Sequence, residues 1–320
     1  MTDAEVADAY KVCDQAMKDY SCDIASVPTD NAASFVAKQV CHKLPCKALL
    51  SRDPSHSTDL LSKDLASTKV VQDVMTYAEM VTDICKNDRI DSMKNEMIAS
   101  AEVEFSKKAV SMCKTRMNLC HDYIEHANAQ HNFILLLPRN EKFRKFYEER
   151  SKKKKDELKL VLHQLKDESV WAKFEMMTSR MTIHFKKVQK ACSRNDLPLS
   201  VFVLLVQALK NDLIRGMDDE FDEVLGQGAA DEVMDMIEDR FNMDGMDPSG
   251  RKVGLLDETH LMCFIVDPYS RFWRSTFKLG THMGLLVKKM IEIYVPKDKD
   301  GTSKTRERVK KEFMVSTNCM

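Results

Sequence analysis

An acidic residue that follows a predicted strand is the first feature of this sequence that could take part in chemistry. Cys22–Val27 is apolar enough to form a short strand, and Pro28 should end it because proline cannot donate a ladder hydrogen bond. Asp30 follows at once, before a predicted helix over Asn31–His42. A carboxylate at the carboxyl end of a strand lies where α/β proteins bind ligands and metal ions. Asp30 is therefore a candidate metal ligand, and the alternative is that Thr29 and Asp30 only cap the helix.

A second polar group follows the next apolar segment. Ala48–Leu50 is short and apolar, and Asp53 and His56 lie at the head of a helix predicted over Ser57–Ala66. Alternation of apolar segments with helices is typical of an α/β fold. We therefore interpret residues 27–64 as the candidate active site.

Most of the remaining chain has the period of amphipathic helices. Arg139–Asn195 is nearly all helical in pattern, and Ala109–Cys113 is predicted as a last short strand. The other predicted helices are Ala4–Tyr20, Lys69–Asn87, Met93–Ser106, Asn118–Phe133, Pro198–Arg215, Gly226–Met243, Phe277–Tyr294 and Thr302–Met314. The sequence thus predicts an α/β protein that is predominantly helical.

Composition limits the class of protein. The chain has 320 residues, of which 31% are charged, with 9 glycines and 8 prolines, and this favours a helix-rich protein of one large or two ordinary domains. The amino terminus does not resemble a signal peptide, so the ten cysteines are expected to be reduced thiols in the cytosol or nucleus. No apolar run reaches about 18 residues, and we therefore expect no membrane association.

The formal net charge of −1 hides strong segregation of charge. Arg139–Lys155 has nine basic and three acidic residues, and Lys297–Lys311 has seven basic and three acidic residues. Met217–Asp247 has twelve acidic residues and one arginine. Such a chain has basic and acidic faces, or segments that neutralise each other.

Four short motifs occur in a fixed order along the chain: T-D-N-A at 29–32, H-S-T-D-L-L-S-K-D at 56–64, T-R at 115–116 and D-P at 267–268. In this order they resemble the motifs of hAT-superfamily transposases, whose catalytic domain has an RNase-H-like fold. Trp171 is similar to the position where the helical insertion of that family begins. The residues of these motifs with an expected structural role are Thr29, Asn31, His56, Asp59, Trp171 and Asp267.

The resemblance implies a fold and a domain organisation. We expect a truncated RNase-H-like sheet with a large all-α insertion. Residues 1–135 would be a partial RNase-H-like core without its first strands, and residues 136–255 would be the helical insertion. Residues 256–320 would return toward the core and end before the last catalytic helix.

The resemblance also implies a catalytic role for Asp30, as the second of three acidic residues that hold Mg²⁺ or Mn²⁺. The sequence departs from the family at Asp53, where the family usually has cysteine, and at Met117, where it has tryptophan. The first aspartate and the final glutamate have no counterpart in this chain. Because two-metal phosphoryl chemistry needs several carboxylates, we expect no DNA cleavage or strand transfer by this chain.

The function expected from the resemblance is that of a nuclear, transposase-derived protein that retains affinity for DNA. The candidate DNA-binding residues are Lys114, Arg116, Arg144, Lys145, Lys152 and Lys153. For Arg116 an ordinary ion pair, and for Lys152–Lys155 a solvated helix face, are the alternative interpretations.

Two other functions stay open. One is a helical interaction module without DNA affinity, nuclear or cytoplasmic, whose acidic Met217–Asp247 segment docks on a basic partner or on the chain's own lysines. The other is a truncated gene model of an active transposase. A protein partner or a homo-oligomer is also expected, because the strand over Cys22–Val27 would have an unpaired edge without the missing strands.

Overall fold

The computed structural model describes residue 15 and residues 26–29, 49–100, 119–194, 197–241, 255–256, 258–267, 287–288, 290–292, 295 and 304–318. The contacts divide the chain into two compact units. Unit 1 comprises residues 1–57, 194–206 and 254–320, and unit 2 comprises residues 58–193 and 207–253. The predicted domain boundaries after residues 135 and 255 are not tested by this division and stay a prediction.

Unit 1 contains a pair of parallel strands, β1 (Ser26–Thr29) and β2 (Leu49–Arg52). Their register runs from Ser26 opposite Leu49 to Thr29 opposite Arg52. Parallel neighbours cannot be joined by a tight turn and need a crossover connection, which is supplied here by residues 30–48. The connection itself, with the helix predicted over Asn31–His42, lies outside the described residues.

The end of the first strand differs from the prediction. Pro28 was expected to stop the strand at Val27, but β1 continues through Pro28 to Thr29. Proline is tolerated in a strand where no partner requires its missing N–H, as at a sheet edge. Thr29 is therefore a strand residue.

The described core of unit 1 is built on the helix α13 (Glu258–Val266), which packs against β2. Its apolar residues pack in one core with Val203 and with a helical segment that contains Val287 and Ile291. The buried members of this core are Val203, Leu261, Met262, Phe264, Ile265, Val287 and Ile291. Burial of each such side chain contributes about 1.5–3 kcal/mol, so α13 is held by packing.

The chain is predominantly helical. In chain order the helices whose bounds the described residues give are α1 Pro54–Ser67, α2 Lys69–Cys85, α3 Asp88–Ala99, α4 Leu119–Asn128, α5 His131–Leu136, α6 Glu141–Glu148, α7 Lys152–Gln164, α8 Glu168–Met177, α9 Ile183–Cys192, α10 Leu199–Gly216, α11 Asp219–Leu225, α12 Ala229–Phe241, α13 Glu258–Val266 and α14 Lys304–Asn318. A 3₁₀ turn covers Leu137–Arg139, and a π-helical turn covers Thr178–Thr182.

Unit 2 is organised around α2, α4 and α8, each of which packs against the other two. Valines and alanines recur every three or four residues along α2, and this places Val70, Val74, Ala78 and Val81 on one buried face. Unit 2 therefore has its own buried apolar core.

One predicted helix is interrupted. The sequence favoured a single helix over Asn118–Phe133, but α4 ends at Asn128 and α5 begins at His131. Gln130, at the break, is fully buried, and its side-chain amide donates to the carbonyl of His126 at 3.2 Å. The buried amide thus bonds to the end of α4, while the main chain turns into α5.

The described residues contain the two short strands and otherwise mainly helices, which confirms the prediction of a helical chain. Two strands do not define an RNase-H-like sheet, so that part of the predicted fold is not shown. Among the described residues, no helix is both long and apolar enough to cross a lipid bilayer.

Candidate nucleic-acid interface

The carboxyl ends of β1 and β2 lie at the same edge, because Thr29 and Arg52 are opposite each other. The next residues in the chain are Asp30 and Asp53. Asp30 lies outside the described residues, as does Asn31. Asp53 accepts a hydrogen bond from the main-chain N–H of His56 at 2.8 Å, so its carboxylate caps the start of α1. Asp53 therefore has a structural role at the edge where Asp30 was predicted to bind metal.

His56 lies in the first turn of α1 and is half-buried. Its Nε2 atom is buried and has no hydrogen-bond partner among the described residues. Asp59 is half-buried further along the same helix. These two residues of the H-S-T-D motif are thus both half-buried, and the structural role expected for them stays a prediction.

The described residues do not form a site for the implied Mg²⁺ or Mn²⁺. Within the described ranges, no group of three or more histidine, cysteine, aspartate or glutamate side chains could hold a metal ion. Hard cations need several oxygen ligands, and Asp53 already caps a helix. Asp30 as a metal ligand stays a prediction.

The basic segment forms a surface on α6 and α7. Asn140 caps α6 by accepting the N–H of Phe143 at 3.2 Å, and Phe143 and Phe146 point into unit 2. The opposite side of α6 leaves Arg144 and Lys145 exposed. We call Arg144, Lys145, Lys152, Lys153 and Lys154 the basic surface.

The amino terminus of α7 concentrates this charge. Ser151 is the N-cap and makes no side-chain cap hydrogen bond, and the first turn carries lysines with no acidic residue. A helix amino terminus bears a partial positive charge, so each lysine there costs about 0.3–1 kcal/mol, and a bound anion stabilises the arrangement. The first turn of α7 is therefore a favourable place for a phosphate group.

Most cations of the basic surface have no acidic partner. Lys155, which flanks the surface, pairs with Glu148 at 2.7 Å, and Lys153 approaches Glu157 at 3.9 Å while remaining 87% exposed. Lys145, Lys152 and Lys154 have no carboxylate within 4.0 Å in the described part of the chain. These three side chains are free to contact an anionic partner.

The aromatic side chains near the basic surface are covered. Phe143 and Phe146 are buried, and the guanidinium of Arg150 lies 4.3 Å from the centre of the Phe146 ring. The ammonium of Lys155 lies 5.7 Å from the centre of the Tyr147 ring. Because base stacking needs an open aromatic face, this surface is suited to phosphates rather than to bases.

Two of the other predicted DNA-binding residues, Lys114 and Arg116, lie outside the described residues. Trp171 and Asp267 are described. Trp171 is buried, its indole N–H donates to the carbonyl of Leu165 at 2.8 Å, and it stacks on His131 with ring centres 4.3 Å apart. Asp267 is half-buried just after α13. Trp171 is thus a core residue, and its role as the start of a helical insertion stays a prediction.

Part of the acidic segment serves the fold, which the sequence did not indicate. Asp218 caps α11 by accepting the N–H of Phe221 at 3.1 Å, and Asp222 accepts the N–H of Ala230 at 2.8 Å at the start of α12. Glu232 accepts the N–H groups of Lys69 and Val70, at 2.6 and 3.2 Å, at the start of α2. These carboxylates are committed to helix termini.

The remaining carboxylates of α12 form a separate acidic surface, which we define as Asp231, Asp235 and Glu238. All three are exposed and follow one face of the helix at helical spacing. None has a basic partner within 4.0 Å among the residues that the structure describes.

A buried histidine beside the π-helical turn is a second feature that the sequence did not predict. His121 is 2% exposed, stacks on Phe185 with ring centres 4.5 Å apart, and lies 3.4 Å from the hydroxyl of Thr182 through Nδ1. Burial lowers the pKa of His121 to about 4, and nearby Lys186 adds to this while Asp122 opposes it. No sequence pattern marks a π-helical turn, because its flanks keep the ordinary helical period.

Comparison with known proteins gives no relative: no family model, no curated protein and no solved structure matches this chain.

Proposed function

We propose that this chain is a hAT-transposase-derived nuclear protein that binds nucleic acid through the phosphate backbone. The observation that carries the proposal is the group of unpaired lysines at the amino terminus of α7, where the helix end and the side chains both favour an anion. The ordered motifs at residues 29–32, 56–64, 115–116 and 267–268 support the transposase origin. The parallel pair β1 and β2 is compatible with it.

The expected mode of binding follows from the covered aromatic rings. Contacts from lysine to phosphate position a protein on nucleic acid without reading its sequence. We therefore expect binding that is steeply salt-dependent and insensitive to base sequence. Family-type DNA cleavage would need acidic ligands beyond Asp30, so binding alone is proposed.

The test is DNA binding measured by fluorescence anisotropy on a labelled duplex over about 50–200 mM salt. The variant Lys152→Gln/Lys154→Gln should bind more weakly, and the slope of log K against log salt should fall by about 0.9 for each phosphate that the variant no longer neutralises. The matched control is Lys63→Gln/Lys69→Gln, which removes the same charge from exposed positions on α1 and α2. The control should keep the slope of the unmodified chain.

Two results would contradict the proposal. One is the absence of duplex binding at about 50 mM salt, where backbone contacts are strong. The other is an equal loss of affinity in both double variants, because overall charge and not the basic surface would then explain the binding. A scrambled duplex should bind as tightly as the first one.

A second function is favoured by the acidic surface, Asp231, Asp235 and Glu238. Three exposed carboxylates on one helical face suit a lysine- or arginine-rich segment of a protein partner. The test is titration with a labelled lysine-rich peptide, in which Asp231→Asn/Asp235→Asn/Glu238→Gln should lose affinity while DNA binding is unchanged or increased. Peptide binding that is equal in the triple variant would exclude this function for α12.

A further inference from the structure

The helix that runs from Glu168 to Cys192 contains an irregular turn. Five residues, Thr178–Thr182, form a π-helical turn between α8 and α9. Such turns are rare in proteins, occur mostly as single turns inside α-helices, and are frequently found at functional sites. The hydroxyl of Ser179 donates to the carbonyl of Glu175 at 2.9 Å, so part of the turn is stabilised by its own side chain.

Two buried polar atoms at this turn lack partners. Among the described residues, neither the hydroxyl of Thr178 nor Nε2 of His121 has a hydrogen-bond partner. An unsatisfied buried polar group costs about 1–3 kcal/mol and calls for an explanation, such as a ligand that completes the bond. His121 is also the residue that contacts Thr182, the last residue of the turn.

A pocket of about 260 Å³ opens at the same place. Thr178 and Thr182 line the pocket, Ile183 provides an apolar wall, and Lys187 and Lys190 provide the cations. Ile183 is 47% exposed, which is high for a large apolar side chain. The residues at 183, 187 and 190 share one face of α9, because they are spaced by three and four positions.

The lysines at the pocket differ in whether a carboxylate pairs with them. Lys186 pairs with Asp122 at 2.5 Å and with Glu125, which also lines the pocket. Burial opposes the charge on Lys186, but these two carboxylates raise its pKa above the ordinary value. Lys187 and Lys190 have no carboxylate within 4.0 Å in the described ranges. The lysines that remain are available to a ligand.

We infer that this pocket binds a small organic anion with an apolar tail. Lys187 and Lys190 would bind the anionic group and the tail would cover Ile183. The buried hydroxyl of Thr178 would donate its hydrogen to the ligand after the side chain turns toward the pocket. The apolar wall excludes an inorganic ion as the best ligand, since burial of Ile183 requires hydrocarbon. The volume limits the ligand to a small molecule.

The test uses the full chain with methyl and amide NMR spectra, and octanoate and octyl phosphate as probes. Either probe should give saturable shifts at Ile183 and Thr178, with a Kd of about 1 mM or tighter. The tighter of the two identifies a carboxylate or a phosphate as the preferred head group. Acetate and inorganic phosphate should bind at least about tenfold more weakly, because they bury no apolar surface.

Variants separate this pocket from general charge effects. Lys187→Gln/Lys190→Gln should weaken binding of the better probe by about tenfold or more, whereas Lys63→Gln/Lys69→Gln should bind as the unmodified chain does. The absence of saturable shifts with both probes, or equal binding by Lys187→Gln/Lys190→Gln, would overturn the inference.

Thr178→Val gives an independent readout, because valine keeps the shape of threonine and removes the unpaired hydroxyl. Its Tm should stay the same or rise, while affinity for the probe falls. A lower Tm with unchanged affinity would show that the hydroxyl serves the fold and would count against its role in binding.

Discussion

The helix interfaces of unit 2 and its basic surface use the same residue types in opposite ways. At the interfaces, Lys94 is buried and pairs with Asp91 at 3.3 Å, and Arg240 pairs with Asp64. On the basic surface, Lys152 and Lys154 are exposed without an acidic partner among the described residues. A lysine in the sequence thus forms an ion pair or stays exposed, depending on whether the fold supplies a carboxylate next to it.

The two regions should therefore respond differently to change. Substitutions at the interfaces should alter the free energy of unfolding and leave DNA affinity at neutral pH nearly intact. Substitutions on the basic surface should lower DNA affinity and leave the free energy of unfolding nearly unchanged, since exposed unpaired charges contribute little to stability.

The largest effect on the interface side is expected at His121 as the pH falls. Its pKa is about 4 in the folded chain and close to 6.5 in the unfolded chain, so the unfolded state binds a proton first. Stability present above about pH 6.5 should be lost progressively down to about pH 4, by about 3 kcal/mol in total. Urea unfolding across this range measures the loss.

The variant His121→Leu is the control for this pH dependence, because leucine fills the buried site without titrating. The variant should lose less stability than the unmodified chain over the same pH range. Equal pH dependence in both proteins would show that His121 does not titrate differently on folding and would weaken the contrast between the regions.

A smaller loss is expected when the carboxylate that caps α2 is removed. Thr68, the N-cap of α2, makes no side-chain cap bond, and Glu232 bonds to the first N–H groups instead. Glu232→Ala should lower the free energy of unfolding by about 1–2 kcal/mol, the usual contribution of a helix cap. Glu238→Ala, at an exposed position on the same helix, should change it by less than about 0.5 kcal/mol. Chemical denaturation measures both, and equal losses would remove the assigned role of Glu232.

The smallest effect on stability is expected on the basic surface. Lys152→Gln/Lys154→Gln should leave the free energy of unfolding, measured with urea, unchanged or higher by no more than about 0.5 kcal/mol. The reason is that the two lysines oppose the dipole of α7. A loss of more than about 1 kcal/mol would mean that these lysines have structural partners.

Much of the helical architecture could be predicted from the sequence. The period of Val70, Val74, Ala78 and Val81 predicts α2 within two residues of its observed end at Cys85. The interruption at Gln130 could not be predicted, because helical period continues across it and a buried amide decides the break. The continuation of β1 past Pro28 is seen only in its pairing with β2, where Pro28 lies opposite Ser51 and Thr29 opposite Arg52.

The candidate sites divide in the same way. The basic run at residues 139–155 is visible in the sequence, and the structure leaves its lysines exposed on α6 and α7, while their contact with DNA stays a prediction. The pocket at Thr178–Thr182 could not be predicted from the sequence, since its residues come from a turn and a neighbouring helix that both keep the ordinary helical period.

By itself, the sequence determined where amphipathic helices form and which segments are basic or acidic, because both depend on residues close together in the chain. Only the tertiary structure decided which charges are committed. Glu232 caps a helix whose first residue is 163 positions away, whereas Glu238, on the same helix, remains exposed. The physical reason is that a carboxylate accepts a hydrogen bond only when packing brings a donor within hydrogen-bond distance. That distance depends on residues far apart in the chain, so the local sequence does not predict it.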